Sequence, residues 1–143
     1  KAIDSGVYLF NLFAVEDVYF NNAREVAGVV VNDSAYKNID LHVDPLTFTS
    51  RVVLDSTGHQ AIVANCLAKR GIVNMGGEDI MNAQLGEQGV IEGTKEIYPG
   101  LIVTGMAAAQ YSGTPRMGPI FGGMLISGKK AAELVEAKLA SNY

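Results

Sequence analysis

RVVLDSTGHQAIVANCLAKRG, Arg51 to Gly71, is the stretch on which the fold of this chain turns. Arg51 to Asp55 is rich in β-branched and apolar residues and reads as a strand. Ser56-Thr57-Gly58 makes a turn, and a helix follows from about His59 to Lys69, ended by Gly71. A strand that hands over to a helix through such a turn is one unit of an α/β fold. In open α/β sheets ligands collect at the carboxyl ends of strands, where helix N-termini also point unpaired N–H groups. His59, one of two histidines in the chain, stands at this handover. It reads equally as a helix-start residue without a partner.

Towards the N-terminus, Ala2 to Ser5 resembles the last turn of a helix closed by Gly6, and VYLFNLFAV (7–15) is apolar enough for a buried strand. EDVYF (16–20) and VAGVVVN (26–32) flank NNARE and predict a β-hairpin. The polar stretch NDSAYKNIDLHVDP is irregular. Towards the C-terminus, residues 71–100 hold seven of the 16 glycines and read as a mobile loop with at most one short helix. LIVTG (101–105) is a short strand, and MAAAQYSGTPRMGP a loop. From Ile120 to Ala140 the spacing predicts a long helix, with Ile120, Phe121, Met124, Leu125, Ala131, Leu134, Val135 and Leu139 on its apolar face. Together these elements imply a single α/β domain over 1–143 with an antiparallel appendage. No G-x-G-x-x-G follows a strand, and there is no P-loop.

With 143 residues, 48% hydrophobic and 18% charged, the chain can bury a core. A net charge of -4 and scattered basic residues give no reason to expect nucleic acid or an anionic membrane as partner. No apolar run approaches the roughly 18–20 residues that span a bilayer, and no signal-peptide pattern opens the chain. The single cysteine, Cys66, excludes an internal disulfide and fits a reducing, cytoplasmic setting. It reads as a small buried residue on a helix. The opening at Lys1, in patterned sequence, suggests a processed or partial product.

Two further stretches carry chemistry. In DLHVDPLTF (40–48), an extended backbone puts His42 and Asp44 on one face, with Pro45 holding Asp44 out of the helical region. That is ligand-like, although an ordinary strand-end loop has the same appearance. A histidine paired with an aspartate from elsewhere in the fold suits Fe(II) or another borderline divalent ion, leaving positions open for a chelating substrate. In GTPRMGPIFGGM (113–124), Arg116 lies between two prolines ahead of a helix whose first residue would be Pro119. It offers a guanidinium fork to a carboxylate or phosphate. Gly122 and Gly123 each cost about 1 kcal/mol in a first helical turn, which implies close backbone approach by something. Tight helix packing with Arg116 on the surface is the alternative. A Ser56-His59-Asp triad lacks the supporting G-x-S-x-G elbow.

EIYPGLIVTGMAAAQYSGTPRMGPIFGGMLISGKKAAELV is similar to the C-terminal signature of the thiamine thiazole synthase family, and KAIDSGVYLFNLFAVEDV, DLHVDPLTF and VVLDSTGH match its earlier segments. The resemblance implies part of a two-dinucleotide-binding, glutathione-reductase-like Rossmann fold whose N-terminal Gly-rich βαβ unit is not in these 143 residues. It could be supplied by a separate N-terminal half. Family members are transferases that convert NAD, glycine and a sulfur source into an adenylated thiazole carboxylate for thiamine biosynthesis. Some donate sulfur from a Cys-Met-Asp-Pro motif of their own. Here the matching residues are His42-Val43-Asp44-Pro45, which points to the archaeal-type branch using free sulfide with Fe(II).

Carried over residue by residue, the resemblance makes Asp44 and His59 the iron ligands, with Asp44 reaching the iron of a neighbouring subunit. Val15, His42, Val43, Asp44 and Met106 would line NAD, and Arg116 would grip the glycine carboxylate. His42 is also the candidate general acid or base for ring closure. The family implies a homo-octamer. The competing readings are a non-catalytic binding or assembly fragment of the same fold and a flavin-dependent oxidoreductase.

Overall fold

The β-branched run in Val26–Asp33 (β2) pairs on both sides, and the hairpin expected from sequence is its first partnership. In the computed structural model, which describes residues 1–35 and 43–141, Phe13–Phe20 (β1) runs antiparallel to β2. The turn is held by Asn21, whose side-chain oxygen accepts from the Glu25 N–H at 2.9 Å. Leu46–Thr49 (β3) closes the other edge of β2, giving the order β1-β2-β3. Gly28 is required at that seam, because a Cβ there would lie 2.1 Å from the Phe48 carbonyl oxygen.

A second sheet has the order β4-β7-β6, from Val53–Asp55 (β4), Leu101–Val103 (β7) and Lys95–Tyr98 (β6). β4 and β7 are parallel, whereas β6 joins β7 antiparallel. The two sheets are sewn together at Gly100: Val26 N–H donates to the Pro99 carbonyl and Val53 N–H to that of Gly100, both at 2.8 Å. Asp79–Met81 (β5) and Pro115–Arg116 (β8) form a small parallel pair. Among the described residues the α-helices are Ile62–Ala68 (α1), Ala83–Gly93 (α2), Met106–Ser112 (α3) and Gly122–Ala140 (α4). The mixed α/β class expected from the sequence is the class observed. None of the helices among the described residues is long and apolar enough to cross a membrane.

Several local expectations change. Residues 7–12 form no strand and are exposed, Tyr8 at 86%; β1 begins only at Phe13, after Leu12 takes a left-handed φ of 64°. Phe10 instead packs on Phe48 and Phe13, at centroid distances of 5.1 and 6.0 Å. Residues 71–100, read as loop, contain β5, the 11-residue α2 and β6. Their glycines mark contacts: a Cβ on Gly86 would meet the Pro115 carbonyl oxygen at 2.6 Å, and one on Gly93 the Ser112 hydroxyl at 2.7 Å. MAAAQYS is α3, as its alanines favour.

The long helix is present, but it starts at Gly122 and not at Pro119, and it buries Gly123, Ser127 and Ala131 while Phe121 and Leu125 stay exposed. What approaches its first turn is α2. A Cβ on Gly123 would stand 3.0 Å from the Glu87 carbonyl oxygen.

That close approach brings Ser127 to the end of β7, where three hydroxyls share a dry contact. Thr94 Oγ1 donates to the Val90 carbonyl at 2.8 Å, which spends its proton. Ser127 Oγ must therefore donate to Thr94 at 2.6 Å and accept from Thr104 at 2.7 Å and from the Gly105 N–H at 2.8 Å. Ser127→Ala strands the Gly105 N–H and the Thr104 hydroxyl. It should destabilise the fold by about 1–3 kcal/mol, read as a lower midpoint in urea with unchanged slope.

Candidate functional site

The site grows from the end of β4. Asp55 is fully buried, and its carboxylate is held by the Thr57 N–H (3.0 Å) and hydroxyl (2.7 Å) on one oxygen and the Ala64 N–H (2.9 Å) on the other. Thr57 Oγ1 in turn accepts from the Ile62 N–H at 2.7 Å. These bonds clamp the Gly58–Gln60 3-10 turn between β4 and α1, with Ala61 in the left-handed conformation (φ 39°) as the N-cap of α1. His59 projects from that turn, half exposed, and its Nδ1 is hydrogen-bonded to the Glu78 carboxylate. Asp55 is thus committed to the turn and not to His59, so a Ser56-His59-Asp55 triad is not assembled.

A cavity of about 270 Å³ is lined by His59, Met81, Met106, Arg116, Gly118 and Met124. The parallel strands explain this convergence. β4 delivers His59 at its carboxyl end, and β7 delivers Met106 through Gly105, whose φ of 59° and ψ of −140° suit glycine. Arg116 arrives on β8, exposed, its guanidinium in no hydrogen bond or ion pair among the described residues. Met81, its partner across the β5–β8 pair, forms part of the wall. Three of the residues singled out from sequence, His59, Met106 and Arg116, therefore share one cavity.

Val43 and Asp44 do not join them. They line a separate cavity of about 240 Å³ with Phe13, Asn32, Asp33 and Leu46, and Asp44 is exposed. Val15 lines neither cavity; it is half buried on β1 against the core that contains Leu67 and Leu101. His42 lies outside the described residues. Among the described residues no three His, Cys, Asp or Glu side chains gather into a metal-binding group. Glu78, Met81 and Met124 were not legible as site residues. Glu78 and Met81 fall in the stretch that looked like loop, and Met124, although it ends the GTPRMGPIFGGM motif, read as a residue of the helix's apolar face.

Cys66 sits on α1 away from both cavities, buried, with its thiol 3.6 Å from the Glu16 carbonyl oxygen. Burial, with the nearby Asp17 carboxylate, raises its pKa above the ordinary thiol value.

These features define a mixed α/β protein with a cavity at the carboxyl ends of two parallel strands, lined by an imidazole, a guanidinium and thioethers. Residues 1–121 match the Thi4 family. The chain belongs to that family. It is 51% identical over 140 residues to the thiamine thiazole synthase of Pyrococcus furiosus, covering 97% of this chain and 55% of that protein. The Thermotoga maritima thiamine thiazole synthase is 49% identical over 139 residues, with coverages of 97% and 55%. A crystal structure of Thermovibrio ammonificans THI4 superposes with a TM-score of 0.89 at 41% identity, covering 97% of this chain and 56% of that one. The chain spans about half the length of the relatives it matches.

Two outcomes test this local architecture. Asp55→Ala leaves the Thr57 and Ala64 N–H groups without acceptors and should cost about 2–4 kcal/mol in chemical denaturation. A raised thiol pKa leaves less thiolate at any mildly alkaline pH, so native Cys66 should alkylate with iodoacetamide far more slowly than the unfolded chain at the same pH.

Proposed function

We propose that this protein acts in thiamine biosynthesis as a sulfide-dependent thiazole synthase, forming an adenylated thiazole carboxylate from NAD, glycine and sulfide with Fe(II). The observation that carries the reading is the convergence of His59, Met106 and Arg116 on one cavity in a chain of the Thi4 family. Arg116, forked and without an ion-pair partner among the described residues, is suited to the glycine carboxylate, which it can bind through two parallel N–H···O bonds. Met106, nine-tenths buried at the start of α3, gives an apolar wall against which part of the dinucleotide can pack. The larger two-dinucleotide-binding Rossmann fold belongs to the same proposal, as does the N-terminal unit that would cradle the pyrophosphate.

The donor chemistry fits a borderline divalent ion shared between copies of the chain. His59 has its Nδ1 on a carboxylate and retains Nε2, and Asp44 lies exposed in a different cavity, so a site completed by Asp44 of a neighbouring copy suits both placements. Fe(II) bound there would supply a Lewis acid able to hold both the chelating substrate and sulfide. Sulfur would come from solution, because the family's donor position is His42 and the one cysteine is buried on α1.

Anaerobic incubation of the protein with NAD, glycine, sulfide and Fe(II) should yield the adenylated thiazole carboxylate by liquid chromatography and mass spectrometry, over several turnovers. Arg116→Ala should lower kcat/KM for glycine by about 100-fold or more, with Arg116→Lys in between. Product formed without sulfide, with sulfur lost from Cys66, would overturn the sulfide assignment.

A further inference from the structure

Glu78 occupies a position that several backbone contacts fix. The Gly76 and Gly77 N–H groups donate to the Tyr111 and Gln110 carbonyls at the end of α3, at 2.9 and 3.0 Å. On its other side the Asp79 N–H donates to the Thr114 carbonyl at 3.4 Å, and β5 pairs with β8. Gly76 permits this only because it lacks a side chain: a Cβ there would lie 2.5 Å from the Gly113 nitrogen. The segment carrying Glu78 is therefore tied to the same α3–β8 unit that carries Arg116. Its carboxylate reaches back to His59 Nδ1, across 19 residues of sequence.

His59 is held from beneath by the Asp55–Thr57 clamp, which fixes the backbone of its turn but leaves the ring free to rotate. Its side chain has no other hydrogen-bond partner among the described residues. The carboxylate accepts, so in the neutral imidazole the proton sits on Nδ1 and the lone pair on Nε2. An unconstrained histidine favours the opposite tautomer, which would offer no Nε2 lone pair.

We propose that Glu78 is the positioning residue for His59: its hydrogen bond from Nδ1 fixes the tautomer and ring orientation so that Nε2 faces a divalent cation in the cavity shared with Arg116. The cation rests on the functional reading above; the tautomer does not.

Two experiments separate these parts. With ring-¹⁵N histidine at alkaline pH, the chain's two imidazoles give separable two-bond ¹⁵N–¹H patterns, assigned with His59→Ala. Wild type should show His59 mainly as the Nδ1–H form, Glu78→Ala should shift it to Nε2–H, and Glu78→Gln, whose amide oxygen still accepts, should restore Nδ1–H. In the second experiment Co(II) titrated into the protein should bind about 10–100-fold more weakly to Glu78→Ala, with Glu78→Gln losing less. A His59 tautomer unchanged in Glu78→Ala overturns the positioning role, as does equal Co(II) affinity in the three proteins. Wild type with the Nδ1–H tautomer but no Co(II) binding overturns the metal reading and leaves Glu78 as the tautomer-setting residue.

Discussion

The carboxylate of Asp55 lies fully buried at the end of β4, and it is tolerated there because both oxygens have donors. An unpaired carboxylate in such surroundings would cost several kcal/mol, so the Thr57 and Ala64 donors cannot move away independently. Their fixed positions set the shape of the turn that carries His59, the entry of α1, and the end of β4. The Asp55 carbonyl also accepts from the Thr104 N–H at 3.0 Å, which ties the same residue to the end of β7. One side chain and one carbonyl of a single residue thereby place the two strand ends from which the cavity is built.

The second strand end is fixed from the opposite side by small residues. α4 comes close to α2 because Gly123 presents no side chain, and that proximity lets the Ser127 hydroxyl reach the Gly105 N–H and both threonines. The arrangement costs helix propensity at Gly122 and Gly123. In return the first residue of α3, Met106, is delivered to the cavity from a backbone that is hydrogen-bonded on both faces. Specific polar contacts at the strand ends, with apolar packing elsewhere, define where the cavity-lining residues sit.

Much of this was legible in the sequence where local signals and tertiary demands agree. The hairpin, β4, β7 and the long helix follow from β-branched runs, turn residues and helical spacing. The strand–turn–helix around His59 and the loop carrying Arg116 could be picked out as candidate elements, and the fold brings both to one cavity. The rest was hidden for identifiable reasons. Glycines in residues 76–93 resemble loop signals, yet at Gly76, Gly86 and Gly93 they answer to a neighbouring chain segment that no local window contains. On α4 the apolar residues suggested the buried face, and Ala131 is indeed buried, but the tight interface also selected Gly123 and Ser127 and left Phe121 and Leu125 exposed. The His59–Glu78 contact joins a motif to an unremarkable acid, and only the fold brings them together.

The cavity walls have a chemical consequence of their own. Met81, Met106 and Met124 give the site unbranched thioether surfaces that adapt to the shape of a bound group. Each sulfur is also oxidisable to a sulfoxide, which would put a polar S–O group in a largely apolar wall, and Met81 at 64% exposure is the one an oxidant meets first. Ferrous ion and free sulfide are lost to the same oxidants. The pocket and the chemistry proposed for it are therefore suited to one environment, and air would disable the container along with its contents.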